Sequence, residues 1–126
     1  NKMTRLLDHT YIIATVAFTV YSQMIIRWQV SKSGELPELF IGKLYFVTNL
    51  LLNPWVISAI FATFLAGVSW MLVLSRFEIS YAYPWVGLNF VLILILAVAF
   101  FGESYSFMKA LGTLLILFGI VIISKG

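Results

Sequence analysis

Cysteine is absent from this 126-residue sequence, and histidine occurs once, as His9. Without thiols the chain forms no disulfide, has no thiol nucleophile and offers no cysteine ligand to a metal. One histidine is too few for a zinc site, and it has no partners for a catalytic triad. We therefore expect a protein that has no metal and no cofactor and is not an enzyme.

Charge is also scarce, because 10% of the residues are charged whereas soluble domains carry about 25%. Hydrophobic residues make up 62% of the chain, and the mean hydropathy is +1.02. A chain this short buries only roughly 60–70% of its unfolded surface, so much of its apolar surface needs lipid as solvent. A soluble enzyme is excluded on this ground, and the net charge of +3 is too small to indicate a nucleic-acid partner.

Four apolar stretches are long enough to cross a bilayer, whose core of about 30 Å takes about 20 helical residues. The predicted spans are residues 10–30, 54–76, 79–102 and 104–124. We therefore predict an all-α membrane protein with four transmembrane helices in a single domain, residues 1–126, and without a removable signal peptide. Segment 39–52 has an apolar face, which favours an interfacial or re-entrant helix before the second span.

Because four is an even number of spans, both termini lie on one side of the membrane, here called the terminal side. The other side is called the opposite side. Four cations fall on the terminal side, namely Lys2, Arg5, Arg76 and Lys125. Four fall on the opposite side, namely Arg27, Lys32, Lys43 and Lys109. The positive-inside rule therefore gives no orientation. Either the count is too small to decide, or the chain inserts both ways or is oriented by a partner.

Polar residues in the first span follow a spacing of four, which keeps them on one slowly drifting helix face: Thr15, Thr19, Gln23 and Arg27, with Ser22 adjacent. Such a stripe either faces a substrate or only packs against neighbouring helices, since Ser and Thr often bond to their own backbone. Arg27 either binds an anion or snorkels toward the head groups.

The later spans hold further candidates. Pro84 predicts a kink near the terminal side of the third span and so a hinge, and Asn89 lies deeper in the same span. Gly112 and Gly119 share a face of the fourth span, where small residues allow close helix approach. Glu103, between these spans, either caps the fourth helix or pairs with Arg27 or Lys109 on the same side.

The second half of the chain resembles the four-helix members of the drug/metabolite transporter superfamily. The resemblance is carried by Ala82-Tyr83-Pro84, by Gly102-Glu103 and by the glycines seven apart in the last span. The earlier strings SQMIIRW and NPWVISAIF resemble its short EamA-type branch, so that the likeness covers roughly residues 14–124.

Two branches of this superfamily compete. The small multidrug resistance branch exports cations as an antiparallel dimer through a glutamate in the first helix, where this sequence has Thr19 and no acidic residue between Asp8 and Glu35. It also has Val86 where that branch has tryptophan, although Tyr83 is kept. The Arg-Trp end of the first span and the AYP-LN-FV run are closer to the aminoarabinose-phosphoundecaprenol flippase subunits.

The second resemblance implies a transporter of the bacterial inner membrane that flips a polyprenyl-phosphate-linked sugar. The alternatives are an exporter of cationic compounds and a subunit that does not itself transport. The flippase hypothesis assigns the lipid phosphate to Arg27, with Gln23 and Tyr83 beside the head group. It assigns the sugar to Thr19, Ser22, Gln23 and Asn89, and it makes Glu103 hold Arg27 when the site is empty.

The expected partners are membrane lipid and a second four-helix chain, either another copy or a paralogous subunit. Four helices enclose little volume, whereas a polyprenyl-linked sugar is large. We expect a dimer with the fourth helix at the interface through Gly112 and Gly119.

Overall fold

The computed structural model describes residues 2–126, with side chains from residue 5 onward, so the side chain of Lys2 in the charge count lies outside the described part. Six α-helices and one 3₁₀ turn make up this part of the chain, without a strand. They are α1 Lys2–Lys32, α2 Phe40–Leu52, α3 Pro54–Arg76, α4 Ile79–Ala82, the 3₁₀ turn Tyr83–Val86, α5 Gly87–Phe101 and α6 Phe107–Lys125. Four helical stretches are long and apolar enough to cross a membrane, with α4, the turn and α5 forming one of them. The predicted fold class is confirmed.

The α1–α3 pair forms the most extensive contact between helices. Small side chains of α3 recur every three or four residues along the contact, at Ala59, Ala62, Ala66 and Ser69. Side chains this small let two helix backbones approach closely, which is the main source of helix association in lipid.

The start of α3 is fixed by the Asn53-Pro54 pair. The Oδ1 atom of Asn53 accepts hydrogen bonds from the backbone N–H groups of Trp55 and Val56, at 2.8 and 3.4 Å. Its Nδ2 donates to Oε1 of the buried Gln29 at 3.0 Å, which ties the start of α3 to the end of α1. Pro54 occupies the first helical turn, where its missing N–H costs nothing.

The third span is interrupted at Pro84. Proline lacks the N–H that would continue the α-helix, and the chain forms the 3₁₀ turn before α5 resumes at Gly87. A Cβ on Gly87 would stand 3.3 Å from Ile116 Cγ2 and 3.5 Å from Ile120 Cδ1 of α6. The absence of a side chain at Gly87 therefore lets α6 pack beside the interruption.

The connection between α5 and α6 is longer than the sequence predicts. Gly102 adopts a left-handed conformation with φ of 63°, and the N–H of Glu103 reaches back to the carbonyl oxygen of Ala97 at 3.3 Å. The next helix begins at Phe107 because Ser106 caps it, accepting from the backbone N–H of Lys109 at 3.1 Å. The fourth span therefore starts three residues after the predicted residue 104.

Helix α2 occupies the predicted segment 39–52 and has no buried residue. It packs lightly against α3 and exposes large apolar side chains such as Phe40 and Tyr45. Its location at the bilayer interface stays a prediction.

Candidate functional site

An ion pair joins the end of α1 to the α5–α6 connection. The Nε atom of Arg27 lies 3.3 Å from Oε2 of Glu103, and the two side chains are 52% and 39% exposed. The predicted pairing of Glu103 with Arg27 is confirmed, whereas the predicted cap of the fourth helix is wrong because Ser106 fills that position. Lys109, the other predicted partner, instead donates to the backbone carbonyl of Ser104 at 2.7 Å.

Aromatic rings flank this ion pair. The Arg27 guanidinium carbon lies 5.9 Å from the centre of the Phe101 ring, and the Lys32 ammonium lies 4.4 Å from the centre of the Trp28 ring. By topology Arg27, Lys32, Lys43 and Lys109 lie at this end of the bundle with Glu35, Glu38 and Glu103, which leaves an excess of one positive charge. The excess of positive charge favours an anion here.

An apolar cavity of about 590 Å³ opens between α1 and α5 beside the ion pair. Its lining is apolar apart from the hydroxyl of Tyr21 and the indole N–H of Trp28. The lining residues are Ala17, Val20, Tyr21, Met24, Ile25, Trp28, Leu96, Phe100 and Phe101. A cation next to an apolar cavity at the end of a membrane span matches the two parts of a lipid phosphate, an anionic head and an apolar tail.

Hydroxyl and amide side chains of this part of α1 provide hydrogen-bonding positions, of which Tyr21 lines the cavity and Gln23 and Thr19 do not. The hydroxyl of Tyr21, which the sequence analysis did not single out, lies 2.9 Å from Oγ of Ser58 on α3. Gln23 is exposed one helical turn before Arg27, and Thr19 is half-buried one turn earlier. The signal missed in the sequence was a tyrosine inside an apolar span, six residues before the arginine.

Ser22 does not lie on this surface. It is 1% exposed, and its hydroxyl lies 2.6 Å from Oγ1 of Thr63 in the α1–α3 contact. The substrate-facing interpretation therefore fails for Ser22, because both its burial and its hydrogen bond are supplied by packing between helices.

Tyr83 and Asn89 lie away from Arg27. Tyr83 contacts Trp70 edge-on, with ring centres 6.0 Å apart, and is twenty residues, or about 30 Å of helix, from Glu103. The structure thus does not place Tyr83 beside a head group at Arg27. The side-chain oxygen of Asn89 is buried and has no hydrogen-bond partner among the described residues.

The glycine face of α6 is open in the described chain. A Cβ at Gly112 or at Gly119 would meet no atom within 4 Å, and α6 itself buries only Ile120. The face is available to another helix, and its role as a dimer interface stays a prediction.

Comparisons with known proteins match several relatives. The chain is 31% identical over 124 residues to the probable 4-amino-4-deoxy-L-arabinose-phosphoundecaprenol flippase subunit ArnF of Proteus mirabilis, covering 93% of this chain and 91% of the relative. It is 37% identical over 78 residues to subunit ArnE of Pseudomonas aeruginosa, covering 62% of this chain and 68% of the relative. For subunit ArnE of Pseudomonas fluorescens the values are 36% over 73 residues, or 58% of this chain and 64% of the relative's length. No family model and no solved structure matches the chain.

Proposed function

This chain belongs to the family of 4-amino-4-deoxy-L-arabinose-phosphoundecaprenol flippase subunits, and from that premise we propose that it moves a polyprenyl-phosphate-linked sugar across the membrane. It is a multi-pass protein of the bacterial inner membrane, with four membrane-spanning segments in the described part. Its proposed chemistry is recognition and reorientation of a lipid, with no bond made or broken.

The observation that carries this proposal is the Arg27–Glu103 pair beside an apolar cavity. A guanidinium offers paired N–H donors that match a phosphate group. In the empty site Glu103 neutralises Arg27, and in the loaded site the lipid phosphate takes the place of the carboxylate. Exchange between two anions keeps the cation partnered throughout, which matters because an unpaired charge at the edge of the hydrocarbon is costly.

The remaining parts of the lipid are assigned by chemistry. The apolar lining of the cavity takes the start of the polyprenyl chain. The sugar, which carries hydroxyl and amino groups, takes hydrogen bonds from Gln23, Tyr21 and Ser58, with Thr19 one turn deeper in α1.

The proposed partner is a second four-helix chain that packs on α6 through Gly112 and Gly119. The relatives carry the names of two different subunits, ArnE and ArnF, and this chain matches both. We favour a paralogous subunit over a second copy on this basis. The open glycine face of α6 and its exposed apolar neighbours support an interface there.

An exporter of cationic compounds is less well supported. Such a transporter needs a carboxylate in the membrane that is free to bind its substrate. Asp8 pairs with Arg76 and Glu103 pairs with Arg27, and the other three carboxylates lie in connections outside the spans.

Replacement of Arg27 tests the proposed function. Vesicles containing the chain and its partner should translocate a fluorescent polyprenyl-phosphate sugar, and Arg27→Ala should reduce the initial rate at least about tenfold, which corresponds to about 1.4 kcal/mol. Arg27→Lys should be intermediate because it keeps the charge and loses the planar donor pair.

The matched control is Lys43→Ala, which removes a cation from the exposed α2 and should leave the rate near the parental value. If Arg27→Ala transports like the parent, Arg27 only contacts lipid head groups and the phosphate site is disproved. If the parental chain adds nothing to transport by its partner, the chain is a non-transporting subunit.

A further inference from the structure

A second apolar cavity continues the first one along the same two helices. It measures about 400 Å³ and is lined by His9, Ile12, Ile13, Val16, Ala17, Trp85, Leu88 and Leu92. Ala17 lines both cavities, so they adjoin there along the same two helices, and the two together are here called the trough. Along α5 its lining residues Leu88, Leu92, Leu96 and Phe100 follow one another at intervals of four, as expected for a single helix face, and Phe101 adjoins the last of them.

The trough is about as long as the membrane is thick. From His9 at one end to Trp28 at the other it follows nineteen residues of α1, or about 28 Å of helix. The hydrocarbon core of a bilayer measures about 30 Å. The two ends therefore lie near opposite lipid–water boundaries, with Arg27 at one end and His9 at the other.

His9 is held in a defined orientation at the terminal-side end. Its Nδ1 lies 2.7 Å from the carbonyl oxygen of Arg5, and since a carbonyl only accepts, Nδ1 carries the hydrogen. Its Nε2 lies 3.1 Å from the hydroxyl of Tyr81. Phe77 and Trp85 surround the imidazole, with ring centres 4.9 and 6.3 Å away.

The charges at this end repeat the arrangement at the other. Nε of Arg76 lies 3.6 Å from Oδ1 of Asp8, and the arginine is 56% exposed whereas the aspartate is 17% exposed. Asp8 and Arg76 are the chain neighbours of His9 and of Phe77, which are in contact. An arginine held by one carboxylate thus stands at each end of the trough. Among the side chains that the structure describes, Arg5 of α1, Glu78 of the α3–α4 connection and Lys125 of α6 are the other charged groups at the terminal-side ends of these elements.

We propose that His9, together with Arg76, forms a second binding site for the polyprenyl phosphate, at the terminal-side end of the trough. The proposal rests on the proposed function, since it assumes the same lipid. In this site the phosphate takes the place of Asp8 on the N–H donors of Arg76, as it takes the place of Glu103 at Arg27, and the His9 ring borders the apolar cavity beside it. The polyprenyl chain lies in the trough in both states, and reversal of the lipid exchanges the end at which its phosphate is held.

Photocrosslinking at the two ends of the trough tests this site. A photoreactive amino acid is introduced at Ile13 or at Met24 in the full chain, which is reconstituted with its partner in vesicles containing radiolabelled undecaprenyl phosphate. We expect lipid labelling at both positions. His9→Gln should lower labelling at Ile13 at least fivefold and leave labelling at Met24 within twofold, and Arg27→Ala should do the reverse.

Arg76→Ala should likewise lower labelling at Ile13, whereas Arg76→Lys, which keeps the charge, should lower it less, and this pair separates loss of the cation from loss of packing. Tyr81→Phe removes the hydroxyl that contacts His9. Tyr45→Phe is its control, because it removes a tyrosine hydroxyl from α2, away from the trough. Farnesyl phosphate should compete for both positions, whereas inorganic phosphate should not, because it cannot occupy the trough.

Two outcomes separate this inference from the proposed function. If His9→Gln leaves labelling at Ile13 unchanged while Arg27→Ala abolishes labelling at Met24, the second site is disproved and the proposed function stands. If labelling at Met24 does not depend on Arg27, the proposed function itself fails. Equal competition by inorganic phosphate would overturn the trough as a binding site for the polyprenyl chain.

Discussion

Arg27 is partnered by a carboxylate that can leave. Both side chains of the Arg27–Glu103 pair are partly exposed, and exposed ion pairs contribute only about 0–1 kcal/mol. A pair this weak keeps the arginine neutralised at the membrane edge but yields to the phosphodiester of the lipid, which carries the same single negative charge and accepts charge-assisted hydrogen bonds from the guanidinium. The weakness of the contact is therefore consistent with a binding site rather than with a structural clamp.

Removal of the competing carboxylate should tighten lipid binding. For Glu103→Gln we expect the affinity for undecaprenyl phosphate to rise by up to about fivefold, the equivalent of about 1 kcal/mol, as measured by native mass spectrometry. Transport should slow, because the phosphate no longer has an anion to replace it. Glu35→Gln makes the same charge change in the loop after α1 and should alter neither quantity. Unchanged or weaker binding in Glu103→Gln would argue against competition for Arg27.

Asn89 offers a test of whether its unpartnered oxygen serves a ligand. A buried polar atom without a hydrogen bond costs about 1–3 kcal/mol, so Asn89→Leu should raise thermal stability in the absence of lipid by about 1 kcal/mol. An acceptor in the membrane suits the hydroxyl or amino groups of a sugar, so transport of the glycosylated lipid should fall. A variant that is more stable and transports at the parental rate would show that the Asn89 oxygen serves no ligand.

The roles of individual site residues could be predicted from the sequence only in part. The partnership of Glu103 and Arg27 followed from topology, because both fall on the same side of the membrane. The position of Ser22 did not, since a spacing of four identifies a helix face but not the neighbour that the face meets. The family resemblance led to the assignment of Tyr83 to the lipid head group at Arg27. The span boundaries alone, however, place Tyr83 at the terminal side.

At the scale of the elements, the third span is the one that departs from a regular helix. Pro84 deprives the chain of one donor, and the 3₁₀ turn Tyr83–Val86 separates the short α4 from α5. This turn includes Trp85, which lines the trough. A change in the turn would therefore alter the terminal-side end of the trough while α5 stays in place.

Pro84→Ala should convert this interruption into a continuous helix. The new N–H can bond to the carbonyl of Ser80, so thermal stability should be maintained or should increase, by up to about 3 kcal/mol. Transport should slow if the turn acts as a hinge. Pro54→Ala is the matched control, because Pro54 lies in the first turn of α3 and its N–H has no helical acceptor. Parental transport by Pro84→Ala would exclude a hinge at this position.

The helices were predictable where hydropathy and a helix breaker agree, as at Asn53-Pro54. The start of the fourth span was not, because residues 104–106 carry no charge and hydropathy alone does not separate them from the apolar residues that follow. Local hydrogen bonding decides the boundary instead. The left-handed Gly102 and the Ser106 cap each favour a break, and together they leave residues 102–106 outside the helices.

The whole molecule leaves much of its apolar surface uncovered. Large side chains of α6 such as Leu115, Phe118 and Ile122 are exposed in the single chain. Lipid can cover such a surface. Gly112 and Gly119, however, leave a helix face without side chains at these two positions, and another helix can pack closely on such a face.

Substitution of both glycines of α6 should weaken the dimer. Bulky side chains at Gly112 and Gly119 would hold a partner helix away, so the double Gly→Leu variant should associate at least about tenfold less well in detergent or lipid. Gly67→Leu on α3 is the control, since a Cβ there also meets no atom within 4 Å. The readout is the fraction of dimer, measured with the chain alone and with a paralogous subunit present. Parental association of the double variant would place the interface elsewhere.

The exposure of α6 also has a consequence for how the protein is made. This helix is synthesised after the other spans and buries only Ile120, so its insertion is driven by its own hydrophobicity and receives little help from the helices already in place. If a second subunit covers α6, a newly made chain displays the uncovered helix until the two meet. Membrane proteases that remove unassembled subunits would then act on the same surface that assembly hides, and the supply of the partner would set how much of the chain the cell retains.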